Sequence, residues 1–431
     1  MNARTRTIRV ETLARVEGEG ALHIKLQGDR VADLKLHIFE PPCFFEAFLK
    51  GRHYSEAADI TARIRGICPI AYQMSAVHAM ERALGIRIDP AVRLLRRLFY
   101  CGEWLESHAL HVYMLHAPEF LGYQDVIQMA RDHRAVVERG LRLKKIGNRI
   151  VMLLGGPGNA SHPGRRWRLL QDAGKEPGAS PRRGSAVGQR GVVSDGEAGG
   201  GVRVSGFRTG LRVRGARPPA GVSVQRRPAG FESRSEHRRR RVRGHFVEQH
   251  VKHSNALHSV VRGRGLYLVG PLARFNLNFD KLPAMAREAA QAAGLKPPVR
   301  NPFRSIVVRA IELVFASDEA LRVVREYDPR AQPRLEAAPR SGVGQAITEA
   351  RRGILYHRYG LDENGIILAA KIVPPTSQNQ KRIEDDLREF AAQLAARPTE
   401  EATWNCEQAI RNYDPCISCA THFLRMKVER E

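Results

Sequence analysis

Residues 63–69 read RIRGICP, and residues 414–422 read DPCISCATH. The second stretch carries a Cys-x-x-Cys pair, Cys416 and Cys419, with His422 three residues further on. The first carries Cys68 alone, with Arg65 where a matching pair would place its leading cysteine. Thiolates at this spacing converge on one soft metal ion. Cys68 stands just before Pro69 and a helix start, and a helix N-terminus favours the thiolate form of a nearby cysteine. On spacing alone the C-terminal pair fits a zinc half-site, a redox pair or two buried small hydrophobes. Cys68, Cys416, Cys419 and His422 together would satisfy the tetrahedral demands of structural zinc.

The bulk properties narrow the class. A chain of 431 residues can bury one large core or two smaller ones. No apolar run reaches the roughly 18 residues that span a bilayer. The N-terminal stretch MNARTRTIRVETLARVEGEG lacks the apolar centre of a secretory signal. Six cysteines are too sparse for a disulfide scaffold, which points to a reduced, cytoplasmic protein with metal-binding or catalytic thiols.

The net charge of +25 would ordinarily indicate a nucleic-acid partner. Its distribution argues against one. Residues 157–244 hold 20 Lys and Arg against 6 Asp and Glu, so most of the basicity belongs to a single segment. The arginine run at 238–241 has no interleaved aromatics on which bases could stack. That segment also has 17 Gly and 7 Pro and follows neither helical nor strand periodicity. Its composition reads as a disordered basic linker, yet so long an insert is improbable inside a compact domain. Back-translated with GC-rich codons and shifted by one nucleotide, two of its stretches read as ordinary protein. The expectation is therefore a frame-shifted or disordered segment at 157–244, between 1–156 and 245–422, which form two parts of one domain.

Elsewhere the pattern is mainly α with a minor antiparallel β-sheet. Apolar–polar alternation in ALHIKLQ and VADLKLHIF around Gly28-Asp29 predicts a hairpin. Ile70, Met74, Val77 and Leu84 predict a helix that Gly85 ends. Asp89-Pro90 is an N-cap and first-turn pair for a helix running to about His116. Further helices are expected at 126–154, 246–262, 280–293, 317–326 and 380–396, with a hairpin turning at Glu363-Asn364-Gly365.

Taken together in this order, RIRGICP and DPCISCATH resemble the two metal-binding motifs of the [NiFe]-hydrogenase large subunit, Arg-x-Cys-Gly-x-Cys and Asp-Pro-Cys-x-x-Cys-x-x-His. RVEGEG (15–20), EPPCFFEAFLKGR (40–52), HALHVYMLHAPEF (108–120), EARRGILYHRYG (349–360) and VPPTSQNQ (373–380) fall in the family's order between and around them. CPIAYQMSAVHA (68–79) is similar to the cytoplasmic NAD(P)-linked and sulfhydrogenase branch. The resemblance implies a multi-helix core and a nickel held by four thiolates, two bridging to an iron that carries carbon monoxide and cyanide. By position, Cys68 and Cys419 would bridge and Cys416 would be a terminal nickel ligand. Arg352 would polarise or deprotonate dihydrogen, with Asp414 orienting it. Thr376 would donate to a cyanide, and Glu17 would carry protons away from a terminal thiolate. Glu46, the backbone carbonyl of Ile372 and His422 would hold a magnesium. An iron–sulfur small subunit, diaphorase or flavin and ferredoxin-like subunits, and a maturation endopeptidase removing 423–431 are the implied partners.

Three positions depart from the pattern. Arg65 takes the place of the second terminal nickel thiolate, and a guanidinium has donors but no lone pair for a metal. Arg351 stands where the family has proline, and is expected to crowd the diatomic ligands. Glu119 replaces an aspartate at the cost of one methylene. An inactive product lacking a nickel ligand is the alternative that these departures raise.

Overall fold

The computed structural model describes residues 5–28, 30–38, 45–64, 67–155, 246–327 and 338–417. Arg65, Cys419, His422 and the expected segments at 157–244 and 423–431 lie outside them. The chain opens with an antiparallel sheet of β1 (Thr5–Val10), β2 (Gly20–Gln27) and β3 (Arg30–Ile38). The expected hairpin is β2–β3, in which Leu22 faces Leu36 and Ile24 faces Leu34, and Gly28 takes the left-handed turn at φ 59°. The edge strand β1 was not anticipated, because its arginines mask a short alternation that buries Ile8 and Val10.

A helical run follows: α1 (Phe45–Leu49), α2 (Ala57–Ala62), α3 (Pro69–Leu84) and α4 (Pro90–Ala109). Gly85, at φ 68°, ends α3, and the Asp89 side chain caps α4 by accepting from Ala91 N at 2.7 Å. A π-helical turn (Leu110–His116) carries α4 on into α5 (Ala117–Phe120). The single helix expected at 126–154 is two, α6 (Val126–Asp132) and α7 (Arg134–Gly155), because His133 leaves helical backbone geometry.

The helix expected at 246–262 is instead a hairpin of β4 (Phe246–Val251) and β5 (Ser254–Val261). Its valines suit a half-buried pleated surface and outweigh the apparent helical spacing. Then come α8 (Pro271–Asn278), α9 (Ala284–Ala292), α10 (Ser305–Glu326), the antiparallel sheet β6 (Gly342–Ala350), β7 (Gly353–Leu361) and β8 (Ile367–Val373), α11 (Pro375–Gln393) and α12 (Thr399–Arg411). Only the end of α10 was legible beforehand. It is buried around most of its circumference, from Ile306 to Val323, so it lacks the polar face that periodicity needs.

The architecture is thus mainly helical with three small antiparallel sheets. Helix α4 lies across α7 and α10, and α3 packs beneath β6 and β7. The α4–α7 crossing needs glycine: a Cβ at Gly147 would lie 2.4 Å from Glu106 N and 2.6 Å from Gly102 O. One apolar core joins these helices to β6–β8, and a second lies between the first sheet and α11–α12. Residues 412–417 run along the seam, with Tyr413 and Ile417 in the second core and Cys416 in the first. No helix among the described residues is long and apolar enough to cross a membrane.

Candidate metal centre

Cys68 and Cys416 are both buried, 5% and 2% exposed, and neither is in a disulfide. Cys68 is the residue from which α3 starts, with Pro69 in the first turn. The next two backbone N–H groups, of Ile70 and Ala71, donate to Glu103 Oε2 at 2.7 and 3.1 Å. A carboxylate from α4 therefore caps the helix mouth at which Cys68 sits. Burial pushes Glu103 up to about 7, against the pull of Arg351 and those two N–H groups.

Cys416 sits in a pocket made by three distant pieces of chain. Its Sγ lies 3.0 Å from Glu17 Oε2, and its backbone N donates to Thr376 Oγ1 at 2.9 Å. Glu17 and Cys416 also form a parallel backbone bridge, in which Ile417 N donates to Glu17 O at 2.9 Å. Arg15 (φ 58°) and Asp414 (φ 49°), each two residues from the bridge, are the non-glycine residues with left-handed backbone among those described. Such backbone is held only where surrounding contacts over-determine it.

Asp414 collects cations. Arg352 Nη2 donates to its Oδ1 at 2.8 Å, and Arg352 Nε donates to its backbone carbonyl. Arg351 Nη1 lies 3.7 Å from Oδ2 and His111 Nε2 lies 3.9 Å from Oδ1. Burial would raise this carboxyl, but Arg352, His111, Arg351 and Arg309 outweigh it and hold it well below the usual carboxylate range. Arg351 also acts on Glu103, so its charge ties the wall of Cys68 to the wall of Cys416. Its Nε and Nη2 are buried and make no hydrogen bond among the described residues.

The same corner is gripped from outside. Ser305 Oγ and Arg309 Nη1 donate to Asn412 O at 2.6 and 2.9 Å, and His116 Nε2 pairs with Asn412 Oδ1 at 3.0 Å. Glu119 binds Arg411 and, at 3.0 Å, Arg15. Burial raises Glu119 to about 7 despite those two arginines. Arg274 fixes the turn before Arg352: it holds Glu312 at 2.7 and 2.9 Å, Glu349 at 3.0 Å, and the carbonyls of Ala350 and Arg351.

Sequence reasoning had not singled out Glu103, Arg274, Arg309 or His111. The signal for Glu103 and His111 was the density of histidine and glutamate among apolar residues from 103 to 119, and Arg274 and Arg309 had none. Of the magnesium set, Glu46 Oε1 accepts from Ile372 N at 2.8 Å, and Lys371 Nζ lies 3.6 Å from the same oxygen. The structure thus brings together Glu17, Cys416 and Thr376, Arg352 and Asp414, and Glu46 and Ile372. Buried thiols, a carboxylate on one of them and two buried Arg351 nitrogens without hydrogen bonds suit a soft metal group with anionic ligands.

Stacked helices around buried free cysteines, arginines and carboxylates make a candidate metal-binding protein. A family model described as nickel-dependent hydrogenase matches residues 44–143. Sulfhydrogenase 1 subunit alpha of Pyrococcus furiosus is 32% identical over 97% of this chain and 98% of its own length. NAD-reducing hydrogenase HoxS subunit beta of Cupriavidus necator is 26% identical over 97% and 95%. A crystal structure of an NAD+-reducing [NiFe]-hydrogenase in the H2-reduced state superposes with a TM-score of 0.76 at 25% identity, covering 98% of this chain and all of that one. The chain belongs to the nickel-dependent hydrogenase large subunits, oxidoreductases acting on hydrogen, whose cofactor contains nickel and iron and which work with partner subunits.

Proposed function

We propose that this chain is the catalytic subunit of a cytoplasmic [NiFe] hydrogenase that splits or forms dihydrogen heterolytically. Cys68 and Cys416, with Cys419, would hold the nickel and iron, the iron carrying carbon monoxide and cyanide. When bound, that group supplies Lewis-acid polarisation of dihydrogen and accepts its electrons. The protein's own residues handle the proton. Arg352, fixed by Asp414, presents a permanent cation that polarises the reacting pair. Glu17, 3.0 Å from the Cys416 sulfur and half-buried, takes the proton from that thiol and carries it away from the sulfur. Thr376 accepts the Cys416 N–H, so its own hydroxyl proton remains a donor for a cyanide nitrogen.

Glu46, the Ile372 carbonyl and His422 would hold a magnesium that secures the C-terminus, and an endopeptidase would remove 423–431 after nickel insertion. Electrons would leave through an iron–sulfur small subunit, then through diaphorase or flavin and ferredoxin-like subunits to NAD(P). The single observation that carries this reading is the contact between Cys416 and Glu17, which joins a ligand thiol to a proton acceptor from the opposite end of the chain. Metal analysis of the purified complex, with infrared spectroscopy, tests it. Nickel and iron together with carbon monoxide and cyanide bands are expected. Zinc alone, or no metal, defeats it.

A further inference from the structure

A second polar cluster lies about two turns along α11 from Thr376, where β3 and the β4–β5 hairpin meet that helix. His253 in the hairpin turn, His258 on β5 and Glu384 on α11 bring three ligand atoms within 4.8 Å of one another. His253 Nε2 lies 2.7 Å from Glu384 Oε1, and His258 Nε2 lies 3.5 Å from Glu384 Oε2. Leu36 N donates to Oε1 at 3.2 Å and fixes the carboxylate's orientation. His258 and Glu384 are 4% and 7% exposed, and His253 is half-buried.

A proton shared between His253 and Glu384 would account for two of the three residues. It leaves His258 unexplained: its Nε2 is buried, points at Oε2 from beyond hydrogen-bond range, and makes no hydrogen bond among the described residues. A buried imidazole nitrogen without a partner is costly. One ion with bonds of about 2.0–2.2 Å would satisfy all three groups, with ligand-to-ligand separations of roughly 3.3 Å. Burial would raise Glu384, but the two imidazoles beside it pull it down to about 2, so the oxygen ligand is anionic at neutral pH.

We propose that His253, His258 and Glu384 form a site for a zinc-class divalent ion, separate from the thiolate centre. Two imidazoles and one carboxylate are a borderline donor set that such ions prefer. Water takes the fourth position on the half-exposed side of His253, where the His37 ring lies 5.9 Å away. The ion clamps the hairpin and the first sheet to α11, the helix whose start carries Thr376.

Cobalt(II) titration of the full chain, freed of metal by dialysis, tests the site. In C416S, which disables the thiolate centre, one equivalent should bind with visible d–d bands and without a thiolate-to-cobalt charge-transfer band. Affinity should fall at least tenfold in H253Q and E384Q and stay unchanged in C416S. His253 sits in a half-buried turn, so H253Q should fold; zinc should raise the melting temperature of wild type but not of this variant. Failure of the C416S chain to bind cobalt, or d–d bands undiminished in H253Q, overturns the proposal. The outcome is independent of whether nickel is ever inserted.

Discussion

Cys68 enters the pocket at the mouth of a single helix, whose first N–H groups are capped by one buried carboxylate, Glu103. Cys416 is carried by a short corner, 411–417, gripped by residues from β6–β7, α10, α11, the π-helical turn and the loop before β2. One wall is thus held by a backbone device with few partners, the other by a network of charges. The first should tolerate loss of a partner gradually. In the second, removing one charge strands several others in a medium where unpaired ions are expensive.

The largest effect is expected at residue 65, where the motif around Cys68 has arginine in place of its leading cysteine. Arg65→Cys should raise nickel occupancy above that of the unaltered chain, toward one equivalent per chain, in protein matured alongside its partners. Structural zinc in zinc-finger peptides binds with about 10–16 kcal/mol, a scale on which one absent ligand removes a large share. Mass-spectrometric metal analysis of both proteins decides it. A full equivalent of nickel in the unaltered chain would refute the assignment of residue 65.

Next comes the charged corner. Asp414→Asn keeps the shape but leaves Arg352, Arg351 and Arg309 facing no anion there. Breaking a buried pair on one side costs about 3–5 kcal/mol, which denaturant titration should read directly. A loss below about 1 kcal/mol would mean that the arginines find other partners and that the corner is not electrostatically locked.

The helix mouth should show itself through pH. Glu103 is raised to about 7 in the folded protein, against the ordinary 4.5 expected when unfolded. Below pH 4.5 both states are protonated and nothing is lost. Between 4.5 and 7 the unfolded chain ionises first, so stability falls as pH rises, by about 3 kcal/mol in all. Glu119, raised by burial to the same value, adds a fall of the same sign. Glu103→Gln should flatten its share of the slope in unfolding measurements at pH 5 and 8. An unchanged slope would assign the whole effect to Glu119 or elsewhere.

These contrasts explain what the sequence disclosed. Cys68, Cys416, Glu17, Arg352 and Thr376 could be named beforehand because each stands in a stretch that the family resemblance covers. Glu103, Arg274 and Arg309 were not, since a single charge on a helix ordinarily faces solvent and only tertiary packing turns these inward. The same blindness hid most of α10, where burial on nearly every side erases the 3.6-residue rhythm. At 246–262 it worked in reverse: local spacing allowed a helix, and pairing between β4 and β5 decided for strands. Arg351, read as an intruder crowding the pocket, lies between Asp414 and Glu103 and acts on both carboxyls.

The smallest expected effect separates holding the corner from tuning the centre. Thr376→Val preserves shape but removes the acceptor for Cys416 N–H, leaving a buried donor unsatisfied at a cost of about 1–3 kcal/mol. Thr376→Ser keeps the oxygen and should lie close to wild type in denaturant titrations. If the hydroxyl also donates to a cyanide, the cyanide infrared bands should shift in the valine variant and hold position in the serine one. Equal stability of the two variants would show that the corner is set by Asp414 and the bridge to Glu17 alone. A stability loss without a band shift would confine Thr376 to the backbone of Cys416.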